Sequence, residues 1–177
     1  MLSPLKSWIR PDTFHAVLSE RSVRWYNACL RITRDADLAA DAVQEALLKA
    51  WDRRDEFRGE SDLDTLIHRI ALNAAIDLMR RRKPRVDDEF AADDLVAAPA
   101  TSPDGEYVQQ AIGRDLITAM QRLTSMERQT FLLKHVEGWR LEEIAESLQT
   151  NANNTKQALF RAVRKLRVDL HVWRGES

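Results

Sequence analysis

From Leu38 to Asp52, the residues Ala39, Ala42, Val43, Ala46, Leu47 and Ala50 recur at the three-and-four spacing of one helical face. That spacing predicts a helix with its apolar side turned towards a core. Asp41, Gln44, Glu45, Leu48 and Asp52 are left together on the opposite side. An exposed leucine ringed by carboxylates and an amide suits a basic partner, because apolar contact supplies affinity while the acids supply register and on-rate. The same pattern is also that of a solvated face carrying one stray apolar residue. A second helix is predicted from Leu63 into the cluster Arg80, Arg81, Arg82 and Lys83. Its Leu63, Leu66, Ile67, Ile70, Ala71, Ala74 and Leu78 form one apolar stripe, and Leu72, Ile76 and Met79 form another on nearly the opposite side. His68, Arg69, Asn73 and Arg80 are interleaved with the second stripe. Cations in a last turn complement the negative end of the helix dipole. Four in succession exceed that need, and a basic strip beside apolar surface suits phosphates flanking unstacked bases.

Ahead of these helices, residues 1–12 read as a lead-in: Pro4 and Pro11 interrupt regular structure, and Asp12 or Thr13 is suited to cap a helix. Val17, Leu18, Trp25, Cys29 and Ile32 then supply core-facing positions to about Thr33, with a turn over Arg34 to Asp37. Composition changes after Lys83. From Pro84 to Gly105, Asp87, Asp88, Glu89, Asp93, Asp94 and Asp104 stand against the single base Arg85. Such a segment buries too little to fold alone and reads as a flexible acidic linker over 84–105, separating a domain at 13–83 from one at 106–177.

Beyond it, Val108, Ala111, Ile112, Ala119 and Leu123 pattern one helix, and another spans Met126 to Val136 before Gly138. Leu141, Ile144, Ala145 and Leu148 share the face of a short helix, and after a few polar residues a basic helix runs to about Leu170. Short helix, tight turn and basic helix are the signature of a helix-turn-helix. In the last helix Leu159, Ala162, Val163, Leu166 and Leu170 are expected to face inward, with Gln157, Arg161 and Arg164 outward, flanked by Lys156, Phe160 and Arg167. Polar side chains there suit base edges and outer bases suit phosphates. Arg161 is the candidate for a bidentate contact to guanine, an arrangement that contributes about 1–3 kcal/mol of discrimination.

A chain of 177 residues, 44% hydrophobic and 31% charged, has the balance of a soluble globular protein. Its net charge of −1 does not exclude nucleic-acid binding, since distribution decides that. The single cysteine, Cys29, excludes an internal disulfide and any multi-cysteine zinc site. No signal-like or membrane-length apolar run is present, so a reducing, cytoplasmic setting is expected. His15, His68, His135 and His171 are scattered, with no zinc-binding histidine pair, phosphate-cradling glycine loop or serine elbow. The sequence therefore reads as no enzyme, with no metal and no cofactor.

The run from Asp41 to Lys83 resembles region two of the bacterial sigma factors of the extracytoplasmic-function (ECF) group. The residues that carry the resemblance are Asp41, Gln44, Glu45, Trp51, the F-R-G-E-S loop from Phe57 to Ser61, Arg69, Ile70, Ala71, Asn73, Ile76, Asp77 and Arg80. The second half is similar to region four of the same group through Leu123, Glu127, Arg128, Gly138, Glu143, Ile144, Ala145, Lys156, Leu159, Arg161 and Ala162. The resemblance implies an all-α protein of two small helical domains that binds the bacterial RNA polymerase core and directs promoter-specific initiation. It implies core contacts at Asp41, Gln44, Glu45, Leu48 and Trp51. The minus-ten element would meet Arg58, Ser61, Asn73, Arg80 and Arg81, and the minus-thirty-five duplex Asn151, Asn154, Lys156, Gln157, Phe160, Arg161 and Arg164. Its implied partners are core polymerase, promoter DNA and, in many relatives, an anti-sigma factor. The linker would lie in the polymerase as a nucleic-acid mimic or serve only as a spacer.

Several positions depart from the family pattern. Gln149 stands where the turn of the helix-turn-helix carries glycine, so either the turn differs or about 1 kcal/mol of strain is offset elsewhere. Asn151 remains a good N-cap, while Asn153 and Asn154 replace glycine and threonine. Leu66 and His68 replace a tryptophan and a tyrosine, and Thr124 replaces a proline, a change expected to be structurally minor. A free-standing helix-turn-helix regulator would explain the second domain alone, and a sigma-derived adaptor without promoter activity would explain Gln149 and Leu66 together.

Overall fold

The computed structural model describes residues 10–54, 62–82 and 115–170. The chain divides into two compact units, Met1–Val96 and Ala97–Ser177, and helix is the only regular structure among the described residues. The residues expected to form the lead-in before Arg10, the Phe57–Ser61 loop and the acidic linker lie outside that description.

In the first unit, α1 (Pro11–Thr33), α2 (Ala36–Asp52) and α3 (Leu63–Arg81) pack each against the other two. Helix α1 starts two or three residues earlier than Asp12 or Thr13 would allow as caps, with Arg10 at the N-cap position. Pro11 occupies its first turn, where the missing N–H costs nothing and the fixed φ favours the helix. The helix stops at Arg34, whose φ of 54° turns the chain while its N–H reaches the Leu30 carbonyl at 2.8 Å. Helix α2 also begins two residues ahead of expectation. Asp35 caps it, its side chain accepting from the Leu38 N–H at 3.0 Å.

Ala39, Ala42, Ala46 and Ala50 are all buried, so the predicted inner face of α2 is present and made of methyl groups, while Val43 and Leu47 are only half-buried beside it. Small side chains permit a short helix-to-helix distance, and that row is what lets α2 lie close on its neighbours. Helix α3 is enclosed more fully than one amphipathic stripe predicts. Both of its apolar stripes enter the core, Ile67, Ala71 and Ala74 from one and Leu72 and Ile76 from the other. With α1 and α2 each covering part of its circumference, a helix with two apolar faces is the central element of the unit.

In the second unit a helical segment over 115–121 precedes α4 (Ser125–Phe131), which continues into a π-helical turn (Leu132–Val136). Gly138, at φ 72°, ends that run. Helices α5 (Leu141–Ser147) and α6 (Ala152–Asp169) follow, α6 packing on both α4 and α5. Ala119, Leu123, Ala162 and Leu166 form a core with Met120, Phe131 and Leu170 against it.

The turn between α5 and α6 keeps the geometry that normally calls for glycine. Gln149 has φ 51°, its N–H bonds to the Glu146 carbonyl at 3.1 Å, and the Thr150 N–H bonds to the Ala145 carbonyl at 2.9 Å. These two bonds are those of a Schellman cap, which satisfies the last carbonyls of α5. A left-handed non-glycine residue costs about 1–2 kcal/mol, and glycine would return part of that in unfolded-state entropy. Gln149→Gly should therefore stabilise the second unit by about 0.5–1 kcal/mol, read as a rise of a few degrees in its melting transition. An unchanged or lowered midpoint would show that Gln149 is not strained.

Candidate nucleic-acid and partner interfaces

On α2 the outward face is as patterned. Asp41, Gln44 and Asp52 are exposed, and Leu48 leaves 61% of its surface to solvent. Glu45 pairs along the helix with Lys49 at 2.5 Å. Trp51 is more engaged than a docking residue need be. Its ring meets Phe14 edge-on at 5.3 Å, the Arg54 guanidinium lies 4.6 Å over it, and Arg54 donates to its carbonyl at 2.9 Å. Trp51 thus fixes the carboxyl end of α2 to the start of α1 as well as bordering the acidic face.

The strip expected on α3 for an open strand is only partly available. Its apolar half is core, because Leu72 and Ile76 are buried and Met79 half-buried. What remains outward is a polar line through Arg69, Asn73, Asp77 and Arg80, continued by Arg81. Asn73 donates to the Arg69 carbonyl at 3.1 Å, and Arg80 pairs with Asp77 one turn back. Arg82 forms an ion pair with Asp35, tying the end of α3 to the cap of α2. Burial alone raises the Asp35 carboxyl, but the Leu38 N–H and the Arg82 guanidinium more than offset it and hold the group below its ordinary range. Of the basic cluster, Arg81 alone among the described residues stands exposed without an ion pair. Arg58 and Ser61 lie outside the described residues.

Sequence reading missed Asp64. It is 7% exposed, accepts the Trp25 indole N–H at 2.7 Å and Arg24 at 2.5 Å, and joins α3 to α1. A signal existed: a tryptophan in an apolar stripe needs an acceptor for its N–H when buried, and Asp64 interrupts the apolar start of α3.

On α6 the inward face is rotated about one position from expectation. Thr155, Ala158, Ala162 and Leu166 are buried, whereas Leu159 and Val163 are half-buried. Thr155 satisfies its buried hydroxyl on the Asn151 carbonyl at 3.0 Å. Phe160, 67% exposed, joins Leu159, Val163 and Val168 in an open groove of about 930 Å³ that Lys156, Arg164 and Arg167 also line. Gln157 is exposed beside them. Asn151 caps the helix through the Asn154 N–H at 2.8 Å, and Asn154 donates to the Thr150 hydroxyl at 3.3 Å, so both serve the turn from an exposed position.

Arg161 is exposed, as expected, but it is also held by a partner that the sequence does not reveal. It sits on the flank of α6, its Nε donating to Glu127 Oε1 at 3.2 Å, while Lys165 Nζ donates to Glu127 Oε2 at 2.7 Å. Thr124 completes the cluster and is not a minor replacement. Its hydroxyl accepts from the Glu127 N–H and its own N–H, which proline lacks, donates to Glu127 Oε2 at 3.0 Å. Burial pushes the Glu127 carboxyl up, and Lys165, Thr124 and Arg161 together bring it below its usual value.

The family models agree with this geometry. Sigma-70 region 2 matches residues 20–85, and Sigma-70 region 4 matches residues 113–166. The ECF RNA polymerase sigma factor SigL of Mycobacterium tuberculosis is 32% identical over 158 residues, covering 88% of this chain and 87% of SigL. The chain belongs to the ECF sigma factors. SigW of Bacillus subtilis is 26% identical over 167 residues, covering 90% of this chain and 89% of SigW. SigG of M. tuberculosis is 28% identical over 163 residues, but the match spans only 42% of its length. The fold of this sigma factor is shared with two solved complexes. One is RpoE with the anti-sigma factor NepR from Bartonella quintana, at TM-score 0.55 and 21% identity over 91% of this chain and 98% of the other. The other is CnrH with the cytosolic domain of CnrY, at TM-score 0.52 and 19% identity over 92% and 90%. Among the described residues no helix is long and apolar enough to cross a membrane, and no group of histidine, cysteine and carboxylate side chains is arranged to hold a metal ion.

Proposed function

We propose that this ECF sigma factor binds the bacterial RNA polymerase core in the cytoplasm through the acidic face of α2 and directs it to promoters as a specificity factor, not as an enzyme. The observation that carries the reading is Leu48, exposed amid Asp41, Gln44, Glu45 and Asp52 in a chain that matches both sigma regions. Asn73, Arg80 and Arg81 would meet the minus-ten strand, with Arg58 and Ser61 near a flipped base. Lys156, Gln157, Phe160 and Arg164 would meet the minus-thirty-five duplex, with Asn151 and Asn154 at the amino end of the reading helix. An anti-sigma partner belongs to this reading, since RpoE is seen held by NepR.

Run-off transcription with bacterial core polymerase on a pool of promoter fragments tests it. The chain should start transcripts at a defined subset, and Lys156→Ala with Arg164→Ala should lose those starts while still binding core. Core binding without any start would sink the promoter role and favour the adaptor. Tight, sequence-specific duplex binding without core would favour the free-standing regulator. The left-handed turn at Gln149 keeps the backbone geometry that glycine would give, which supports the promoter reading over the adaptor.

A further inference from the structure

Glu127 is 2% exposed, and the functions above make no use of it. A buried carboxylate is a costly way to hold two helices together, because an apolar side chain of the same volume often serves as well. Its oxygens are instead distributed with some specificity. Oε2 takes Lys165 and the Thr124 N–H, leaving Oε1 for the Nε of Arg161. A guanidinium presents its five N–H donors in one rigid plane, so engaging Nε fixes that plane and leaves the four Nη hydrogens. The Arg161 side chain remains 47% exposed while it is paired. Two cations against one carboxylate also leave the cluster positive, and the pairing does not cancel its attraction for DNA.

We propose that Glu127 is a positioning residue for promoter discrimination: it holds Arg161 by Nε so that the Nη edge is presented to O6 and N7 of one guanine in the minus-thirty-five duplex. This rests on the sigma reading above and deepens it. Arg161 then reads the base from the flank of α6, while Lys156, Phe160 and Arg164 engage the duplex from the outward face.

The test uses the full chain with core polymerase on a promoter recovered from the run-off pool. Each upstream guanine is replaced in turn by 7-deazaguanine, which removes only the N7 acceptor, or by adenine. Wild type should lose initiation about tenfold or more at one guanine, the size expected of a bidentate pair. Arg161→Ala should abolish that discrimination, and Glu127→Gln should reduce it to within about threefold without changing the salt dependence set by phosphate contacts. The double variant should discriminate no worse than Arg161→Ala alone, since residues acting as one unit are not additive. A merely structural Glu127 would lower initiation equally on every template and leave the ratio intact, which overturns the inference. If Glu127→Gln is unfolded by circular dichroism, Glu127→Met, which fills the space without charge, takes its place. Unfolding of both would make Glu127 a residue of the fold alone and would also overturn the inference. Absence of any start by wild type would instead bring down the sigma reading on which the inference depends.

Discussion

Replacing Asp64 with alanine lowers the stability of the first helical unit by about 2–3 kcal/mol. The larger part comes from Trp25, whose indole N–H is left in the core without its acceptor, a loss of about 1–3 kcal/mol. Arg24 contributes little, because its side chain is half exposed and water replaces the pair. Against total stabilities of about 5–15 kcal/mol, this removes a large fraction, and in a unit of this size it lowers the melting midpoint by about 10–20 °C. Far-UV circular dichroism on heating should show the shift, with the second unit's transition unmoved. Asp64→Asn keeps an oxygen for Trp25 and should recover most of the loss. An unshifted melt for Asp64→Ala would mean that the indole finds another acceptor.

Leu48→Glu acts on association and leaves the fold intact. The residue is a surface position with helix propensity close to that of its replacement, so the melting curve should move by no more than about 0.5 kcal/mol. On binding, the variant forfeits a buried leucine, worth about 1.5–3 kcal/mol, and brings a further carboxylate into a surface already carrying Asp41, Glu45 and Asp52. Core affinity should fall about thirtyfold or more, equivalent to about 2 kcal/mol. Titration of labelled sigma factor with core polymerase measures it. Unaltered affinity would mean that the leucine is a stray apolar residue on a solvated face and that core binding lies elsewhere.

How far the sequence told this in advance depends on the range of the interaction. The inner face of α2 was legible because Ala39, Ala42, Ala46 and Ala50 repeat with the helical period while acids fill the gaps. The Asn151 cap was legible for the same reason, being local chemistry. Periodicity does not say how many neighbours a helix has, and so the second stripe of α3 looked like open surface when it is core. Nor does it identify ion-pair partners distant in sequence: Asp35 with Arg82, Asp64 with Arg24 and Glu127 with Arg161 are each brought together by packing. The rotation of α6 was misread because large apolar residues dominate a hydrophobic pattern. Close helix contact selects small ones, here Thr155 and Ala158. That rotation brings Arg161 within reach of Glu127 while leaving it exposed.

The methyl row beneath α2 also divides the ways in which this surface can change over generations. Its inner positions have no slack, since closely packed interiors accept little added volume before the backbone must move. The outer positions Asp41, Gln44, Leu48 and Asp52 are mounted on that fixed seat with their side chains exposed, so they can be exchanged one at a time without disturbing it. Partner choice on this face is thereby free to drift while the helix that displays it stays where it is.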